Sequence, residues 1–236
     1  MLGTIREAVR RRRARRADRR QRTVGKHMVW RDQPFFVAAR AAHGHVAGIP
    51  DLRLFVLQSF VRSIPDVPGD IAECGTRNGK SALFMLDALD GTERRMVLFD
   101  SFEGLSDPTP GQDTLASAFD PKTGERHFHQ ADPQVVVDRF RDRPVDVMTG
   151  WIPDRFPEVA DRRFALVHVD VDLYQPTLDS LAFLFPRLAP FGVLICDDYG
   201  SGAYPGARKA MDEYFADRPE GIVELPTGQA FVVKRG

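Results

Sequence analysis

The sequence predicts a doubly wound, Rossmann-like α/β sheet of seven strands in which the last strand runs antiparallel. Segments typical of strands and of helices alternate from residue 70 onward, which is the pattern of a parallel sheet with crossover helices. Strand segments such as ALVHV and VLIC are apolar without interruption, as expected of strands covered on both faces. The two final strand segments, GIVEL and AFVVKR, are joined only by the hairpin-like link PTGQ. A purely parallel sheet does not need such a pair, whereas a sheet with an antiparallel last strand does.

The predicted elements follow in order along the chain. Residues 34–64 are predicted to form two helices, because the second part repeats apolar residues at a period close to 3.6 before Pro65 and Pro68 interrupt it. The predicted strands beyond them are IAEC, RMVLFD, VDVMTG, FALVHVDV, GVLICDD, GIVEL and AFVVKR. The predicted helices between these strands are KSALFMLDAL, PQVVVDRFRD, TLDSLAFLFPRL and ARKAMDEYFADR.

A formal net charge of zero over 236 residues hides a strong asymmetry. Residues 1–26 hold ten Arg and one Lys against Glu7 and Asp18, so this segment carries about +9 and the remaining chain about −9. Like charges and scarce apolar surface predict a disordered tail or a frayed helix, followed by one domain over residues 27–236. Binding of the tail to nucleic acid or anionic lipid is the alternative. Nucleic acid is disfavoured, because no aromatic residues are interleaved with the arginines.

The composition predicts a cytoplasmic protein that does not enter a membrane. No apolar run approaches the roughly 18–20 residues that a membrane-spanning helix needs, and the basic N-terminus lacks the apolar region of a secretory signal. Cys74 and Cys196 lie inside apolar runs, so we expect both to be buried and reduced. Two lone cysteines form neither a disulfide scaffold nor a zinc site.

A glycine-containing loop follows the first strand of the alternating region. In DIAECGTRNGKS, Gly75 permits backbone torsions that a side chain would obstruct, and Gly79 is expected to let a ligand approach the N-terminus of the next helix. The two glycines are four residues apart, which excludes the phosphate-binding GxxxxGK loop, and the third glycine of the dinucleotide fingerprint is missing. The spacing E-x-G-x-x-x-G suits the methionine end of S-adenosylmethionine. Asp100 ends the second strand and is expected to accept the ribose hydroxyls, with helix capping as the alternative.

Four carboxylates follow two strands that are expected to be neighbours. Asp170 and Asp172 end the fourth strand, in VHVDVDLY, and Asp197 and Asp198 end the fifth, in LICDDY. Neighbouring strands lie roughly 4.8 Å apart, so their tips would crowd these like charges together. A bound cation would relieve that repulsion, and Mg²⁺ prefers oxygen ligands. The sequence therefore predicts a magnesium site beside the ligand crevice.

Other interpretations of the polar residues remain open. Some of the aspartates are alternatively expected to cap helices or to pair with arginines such as Arg155 and Arg208. We interpret His168, inside the fourth strand, as a core histidine with satisfied hydrogen bonds. An H-x-H pair can bind metal, but we interpret His127 and His129, in GERHFHQ, as part of a surface loop or lid.

The long segment 103–130 is predicted to be a lid over the crevice. Its prolines and glycines are expected to prevent regular structure, while Phe119 and Phe128 supply apolar surface to bury against a bound substrate. Tyr174 and Trp151 are expected to flank the site and stack on an acceptor, or else to pack the lid.

The segments VPGDIAECGTRNGKSA, FDSFEGL, TGWIPDRFP, HVDVDLYQPTLDSL and ICDDYG together resemble the macrocin O-methyltransferase family, which includes macrolide and aminocoumarin deoxysugar O-methyltransferases. The resemblance covers about residues 65–236 and leaves out the Arg-rich tail. It implies the fold of a class I S-adenosylmethionine methyltransferase, metal ligands at Asp170, Asp197 and Asp198, and Asp172 as the general base. Asp170 is thus assigned to catalysis as well as to the metal. The residues expected to contact the cofactor are Glu73, Gly75, Thr76, Asn78, Gly79, Ser81, Asp100, Ser101, Phe102, Gly150, Trp151 and Asp170.

The implied activity is an S-adenosylmethionine- and Mg²⁺-dependent O-methyltransferase. Its expected acceptor is a hydroxyl of a small molecule, first of all a sugar of a glycosylated natural product. A phenol or catechol acceptor is the alternative within the same chemistry. An oxygenase on the same fold is disfavoured, because the cluster is all aspartate rather than two histidines and one carboxylate. A protein that binds nucleic acid through its Arg-rich tail is the non-enzymatic alternative. The sequence leaves open whether the protein forms a homo-oligomer.

Overall fold

The computed structural model describes residues 28–129 and 131–236, so the predicted tail over residues 1–26 lies outside the described residues. The chain divides into two units, Met1–Ala41 and Ala42–Gly236. In the described part of the first unit, a 3-10 turn at Val29–Asp32 precedes helix α1 (Pro34–His43), which runs across the boundary. Within that unit the rings of Trp30 and Phe36 lie 5.5 Å apart.

The large unit is built on a seven-stranded sheet with the strand order β3-β2-β1-β4-β5-β7-β6. Its strands are β1 (Asp70–Cys74), β2 (Met96–Asp100), β3 (Val145–Thr149), β4 (Phe164–Val169), β5 (Leu188–Cys196), β6 (Val223–Glu224) and β7 (Ala230–Val233). The first five strands are parallel, and β7 runs antiparallel to both β5 and β6. This arrangement confirms the predicted doubly wound sheet with an antiparallel last strand.

Helices cover both faces of this sheet. They are α2 (Asp51–Ser63), α3 (Lys80–Asp87), α5 (Pro133–Phe140), α6 (Tyr174–Leu184) and α7 (Pro205–Phe215), while the one-turn helix α4 (Leu115–Ala118) lies in the long segment after β2. Alternate strand residues point to opposite faces. Ile71 and Leu98 therefore join a core with residues of α2, α3 and α5, whereas Ala72 and Val97 join a second core with residues of α6 and α7. Burial on both faces is the physical reason why the strand segments are continuously apolar.

Several predicted boundaries were wrong. Helix α6 begins at Tyr174 instead of Thr177 and gives way to a 3-10 turn, because Pro186 cannot continue the hydrogen-bond ladder. Helix α7 begins two residues early at Pro205, where the fixed backbone torsion of proline suits a first helical position. Strand β5 begins at Leu188, ahead of Gly192.

Two further observations concern membrane insertion and the cysteines. In the described part of the chain, no helix is both long enough and apolar enough to cross a membrane. Cys74 and Cys196 are free and buried as predicted, and burial raises the pKa of the Cys74 thiol to about 12.

Candidate functional site

A cavity of about 300 Å³ opens at the carboxyl ends of β1, β2, β4 and β5. Parallel strands direct these ends to one edge of the sheet, which is where ligands bind in doubly wound folds. The cavity is lined by the loop after β1, the tip of β2, residues that follow β3, the segments after β4 and β5, and the segment before and within the first turn of α2. All of these parts belong to the large unit.

Gly75 brings the ends of β1 and β4 into direct contact. Its φ of 85° is in the left-handed region, and a Cβ there would overlap the carbonyl oxygen of Asp170 and lie 2.7 Å from its carbonyl carbon. The backbone N–H of Asp170 donates to the Cys74 oxygen at 2.9 Å. Glycine is therefore required because two backbones meet here.

Gly79 has a different role from the predicted one. Its φ is 75°, but a Cβ there would lie 2.8 Å from the ring of Phe140 in α5, and Gly79 does not line the cavity. The expectation that this glycine lets a ligand approach is wrong, because the group that approaches it is a packed aromatic ring. Its neighbours Asn78 and Ser81 do line the cavity.

Glu73 lies beneath the cavity wall. It is completely buried, accepts a hydrogen bond from Thr76 Oγ1 at 3.2 Å, and has an oxygen 2.9 Å from His168 Nδ1. Thr76 lines the cavity whereas Glu73 does not. Glu73 can therefore shape the glycine loop through Thr76.

Asp100 lies at the tip of β2 with its carboxylate facing the loop after β1. It accepts backbone N–H groups from Arg77 at 2.6 Å and from Phe102 at 2.7 Å. Burial raises the pKa of Asp100, although these hydrogen bonds oppose the shift. The chain after Asp100 is irregular and the next helix begins only at Leu115, so the alternative of a helix cap is wrong. Ser101 lines the cavity with Asp100, whereas Phe102 is buried and does not.

Beside Asp100, the residues after β3 complete this end of the cavity. The Gly150 N–H donates to the backbone oxygen of Asp100 at 2.9 Å, and both Gly150 and Trp151 line the cavity.

The predicted metal ligands come together at the other end. Asp170, Asp197 and Asp198 each offer one oxygen, and the three oxygens lie within 4.8 Å of one another. Burial and the charges of Asp197 and Asp198 raise the pKa of Asp170 well above its ordinary value. Burial and the Asp197 charge raise the pKa of Asp198 to about 6. The Oδ2 atom of Asp198 is buried without a hydrogen-bond partner among the described residues.

Asp197 is the most strongly hydrogen-bonded member of the cluster. It pairs with Arg53, accepts a hydrogen bond from Gln229 Nε2 at 2.8 Å, and lies 3.5 Å from His168 Nε2. Burial alone would raise the pKa of Asp197, but His168, Arg53 and Gln229 together hold it below its ordinary value.

His168 is completely buried between Asp197 and Glu73. Burial opposes its charged form, yet hydrogen bonds to these two carboxylates raise the pKa of His168 to about 9. The prediction of a core histidine with satisfied hydrogen bonds is confirmed.

Asp172 lines the cavity close to the cluster and is 7% exposed. Its φ of 60° is uncommon for a residue with a side chain, and such strain concentrates at functional sites. Burial, then the charges of Asp198 and Asp197, raise the pKa of Asp172 well above its ordinary value.

The arginines expected as alternative partners of the aspartates lie elsewhere. Arg155 pairs with Glu158 at 2.9 Å and Arg208 with Glu224 at 2.8 Å. The two arginines named were therefore wrong, because each pairs with a glutamate, but the expected pairing of an aspartate of the cluster with an arginine is confirmed at Arg53.

The arginine that does pair with the cluster is Arg53 of α2, which the sequence did not predict. The residues 47–49, Arg77 and Tyr204 were likewise not predicted, and all of them line the cavity. The available signal for Arg53 was a basic residue between the apolar residues Leu52 and Leu54 in the first turn of a predicted helix. No sequence signal pointed to Tyr204.

The predicted lid contains regular structure and is anchored in its middle. Helix α4 forms one turn because Leu and Ala favour helix, and the hydroxyls of Thr114 and Ser117 at its start lie 2.8 Å apart. The expectation of a wholly irregular segment was therefore wrong. Asp113 accepts the backbone N–H of Tyr174 at 3.1 Å, and Ser117 donates to the Ala203 oxygen at 2.9 Å.

The end of this segment is a short hairpin closed by a bridge between Phe119 and Arg126. Gln130 lies outside the described residues. His127 Nε2 lies 3.2 Å from the Ala116 oxygen and His129 Nδ1 lies 2.6 Å from the Arg126 oxygen, so both imidazoles contact backbone of the loop, as expected for a surface loop.

The four aromatic residues expected at the site divide into two pairs. Phe128 lines the cavity with the Arg77 guanidinium 4.5 Å from its ring centre, and Trp151 lines it as predicted. Tyr174 and Phe119 do not line it. The expectation that Tyr174 stacks on an acceptor was wrong, because its position at the start of α6 directs its hydroxyl to Glu213.

Known proteins resemble this chain in sequence and in fold. Residues 4–223 match the family model described as macrocin O-methyltransferase (TylF), so the match extends into the Arg-rich tail that the resemblance had left out. A relative from Streptomyces olivaceus, named 8-demethyl-8-(2,3-dimethoxy-alpha-L-rhamnosyl)-tetracenomycin-C 4'-O-methyltransferase, is 36% identical over 173 residues, covering 69% of this chain and 64% of the relative. The chain thus spans less than two thirds of that relative.

Two further matches extend the comparison. The mycinamicin III 3''-O-methyltransferase of Micromonospora griseorubida is 32% identical over 180 residues, covering 69% of this chain and 67% of the relative. The solved structure of the O-methyltransferase NovP is 28% identical with a TM-score of 0.64, covering 80% of this chain and 81% of that one.

Proposed function

Because the chain belongs to the macrocin O-methyltransferase family, we propose that it transfers a methyl group from S-adenosylmethionine to a hydroxyl of a small molecule, with Mg²⁺ held by the carboxylate cluster. The proposed acceptor is a sugar of a glycosylated natural product. The observation that carries this proposal is the meeting of Asp170, Asp197 and Asp198, with Asp172 beside them, in the cavity that also contains the glycine loop and Asp100.

The end of the cavity near β1 and β2 suits the cofactor. The Asp100 carboxylate would accept the two ribose hydroxyls, as acids at the tip of a second strand do. The loop from Gly75 to Thr76 would face the methionine end, while Gly150 and Trp151 would form the opposing wall. Glu73 would act through Thr76, because its own carboxylate is buried beneath the loop.

The carboxylate cluster fits a hard divalent cation. Three oxygens within 4.8 Å match the ligands that Mg²⁺ prefers, and the unpartnered Oδ2 of Asp198 is a buried acceptor that a cation would satisfy. Burial, and then the crowded negative charge of Asp197 and Asp198, raise the pKa of Asp170, and a cation would relieve the repulsion between these charges. When bound, Mg²⁺ would act as a Lewis acid that orients the acceptor hydroxyl and favours its deprotonation.

Asp172 is proposed as the general base. The acceptor oxygen forms a bond to the methyl carbon while the bond from that carbon to sulfur breaks, and Asp172 accepts the hydroxyl proton. Asp172 lines the cavity beside the cluster, where a carboxylate can act as the base for a hydroxyl bound there. Holding both reactants in one cavity supplies a further part of the rate enhancement.

The acceptor class is supported by the names of two relatives. One is named for a rhamnosyl tetracenomycin and the other for mycinamicin III. For this chain, a glycosylated acceptor remains a proposal that an acceptor screen must test.

The test uses the full chain in two stages. Calorimetry with S-adenosylhomocysteine should show binding, and its absence in folded protein would contradict the cofactor assignment. Incubation with S-adenosylmethionine, Mg²⁺ and a panel of glycosylated metabolites, with catechol as the comparison acceptor, should then give a product heavier by one CH₂ in mass spectrometry. EDTA should abolish this product, and added Mg²⁺ should restore it. Methylation of catechol alone would favour the phenolic alternative.

A matched pair of variants separates the cluster from general charge effects. Asp198→Asn should abolish transfer, whereas Asp217→Asn, at an exposed aspartate just after α7, should leave it unchanged. Full transfer in chelator, or by the Asp198 variant, would mean that the metal assignment is wrong.

A further inference from the structure

Arg53 reaches the carboxylate cluster from a helix outside the sheet. It lies in the first turn of α2, and its Nη1 atom pairs with Asp197 Oδ2 and lies 3.9 Å from Asp198 Oδ1. Its side chain is only 21% exposed, so water screens its charge weakly. A fixed positive charge therefore lies against two of the three proposed metal ligands.

The guanidinium is held on its other side by the turn between β6 and β7. Its Nε donates to the Thr227 oxygen at 3.1 Å, and a Cβ on Gly228 would lie 3.0 Å from its Nη2 atom. Gly228 has a φ of 87°, so the turn that accepts Arg53 also requires glycine for its backbone. These contacts fix the position of the charge.

Arg53 has two opposing effects on a cation. It orients Asp197, which would favour binding, but it also places positive charge beside the site, which would weaken binding. Orientation depends little on Arg53, because Gln229 and His168 also contact Asp197. A guanidinium and a cation a few ångströms apart repel each other at the effective dielectric of a partly buried site. This repulsion exceeds about 1.4 kcal/mol, which is the free energy that corresponds to a tenfold change in affinity. The charge effect therefore dominates.

We propose that Arg53 is a positioning residue that sets the affinity of the cluster for its divalent cation, and that its fixed charge weakens binding so that the metal remains exchangeable. This inference rests on the proposed function for the presence of the cation. It gives helix α2 a role in the site in addition to its packing against the sheet.

The experiment is a titration of the full chain with Mn²⁺, followed by the electron paramagnetic resonance signal of the free ion. Arg53→Gln and Arg53→Met remove the charge, Arg53→Lys keeps it, and Arg62→Gln removes an arginine from the last turn of the same helix as the matched control. Both neutral variants should bind Mn²⁺ at least tenfold more tightly than the wild type. The lysine variant should bind Mn²⁺ with the affinity of the wild type, within about threefold, because it keeps the charge beside the cluster. The Arg62→Gln control should do the same, because exposed charges contribute little.

Each outcome decides between the alternatives. Equal or weaker Mn²⁺ binding by the folded neutral variants would overturn the inference, and tighter binding by Arg53→Lys would show that charge is not its basis. A wild type that binds no Mn²⁺ would overturn both the inference and the metal in the proposed function. Binding of S-adenosylhomocysteine, measured in parallel by calorimetry, tests the cofactor part of the proposed function separately and confirms that each variant is folded.

Discussion

Replacing Gly75 by alanine would perturb the point where the cofactor loop meets the carboxylate cluster. The new methyl group would overlap the carbonyl oxygen of Asp170 and lie 3.3 Å from Val171 Cγ1. Because the clash is with backbone, no side-chain rotation relieves it. The end of β4 must move away from β1, and Asp170 and Asp172 must move with it.

Gly91 provides the control for this substitution. Its φ is 81°, close to the 85° of Gly75, but a Cβ there would meet nothing within 4 Å. Both alanine variants carry the left-handed backbone strain of about 1–2 kcal/mol. Only the Gly75 variant adds an overpacking cost of about 1–3 kcal/mol. The difference between the two variants therefore isolates the clash with Asp170.

Urea denaturation at neutral pH measures this difference as a free energy of unfolding. We expect Gly75→Ala to be less stable than Gly91→Ala by about 1–3 kcal/mol, and to lose at least tenfold in Mn²⁺ affinity while Gly91→Ala loses none. If the two variants were equally stable and bound Mn²⁺ equally, the close approach of β1 and β4 would not be required.

Three substitutions and one proteolysis experiment test individual parts of the site and fold. Asp172→Asn should lower turnover by about 10²–10⁴-fold with Mn²⁺ affinity retained, and an unchanged rate would remove Asp172 from the mechanism. Asp198→Asn should weaken Mn²⁺ binding at least tenfold in the same titration, and equal affinity would place the cation elsewhere. Asp146→Asn should lower the free energy of unfolding by about 1 kcal/mol at neutral pH, because a hydrogen bond from Arg95 holds the pKa of Asp146 below its ordinary value. That stability is present above the unfolded-state pKa and is lost as pH falls through the lowered folded-state pKa. The free energies of unfolding of variant and wild type should therefore converge in acid, and a difference that stays constant with pH would contradict the assignment. Trypsin cleavage near Lys122 should slow only when S-adenosylhomocysteine and acceptor are both present, and equal cleavage with and without them would mean that the hairpin is not a lid.

Predictions succeeded where one local rule determines the structure. Strands buried on both faces must be apolar throughout, so IAEC and ALVHV identified β1 and β4 without knowledge of their neighbours. Carboxyl ends of neighbouring parallel strands meet at one edge, so the pairs ending β4 and β5 predicted the cluster.

Predictions failed where the partner of a residue is distant in sequence. Gly79 and its packing partner Phe140 lie on either side of strand β2 in the chain, and nothing in the loop indicates that an aromatic ring will approach it. Tyr174 was misplaced because α6 begins at that residue, and the start of a helix determines where its first side chains point. Arg53 and Asp197 are 144 residues apart, and no spacing rule relates a helix that precedes the sheet to the tip of β5.

Helix α2 is part of the candidate site together with the ends of the strands. The ends of strands β4 and β5 supply only negatively charged groups to the cluster. Without α2, Asp197 would have only Gln229 and His168 as its partners among the contacts described above. Arg53 adds a fixed guanidinium charge against the cluster, and residues 47–49 just before α2 form part of the same cavity. Since buried like charges repel until a cation or an ion pair compensates them, the helix that precedes the sheet takes part in the electrostatics of the cluster before any metal binds. It follows that substitutions that remove the charge of Arg53 should alter metal binding even though none of the proposed metal ligands lies in α2.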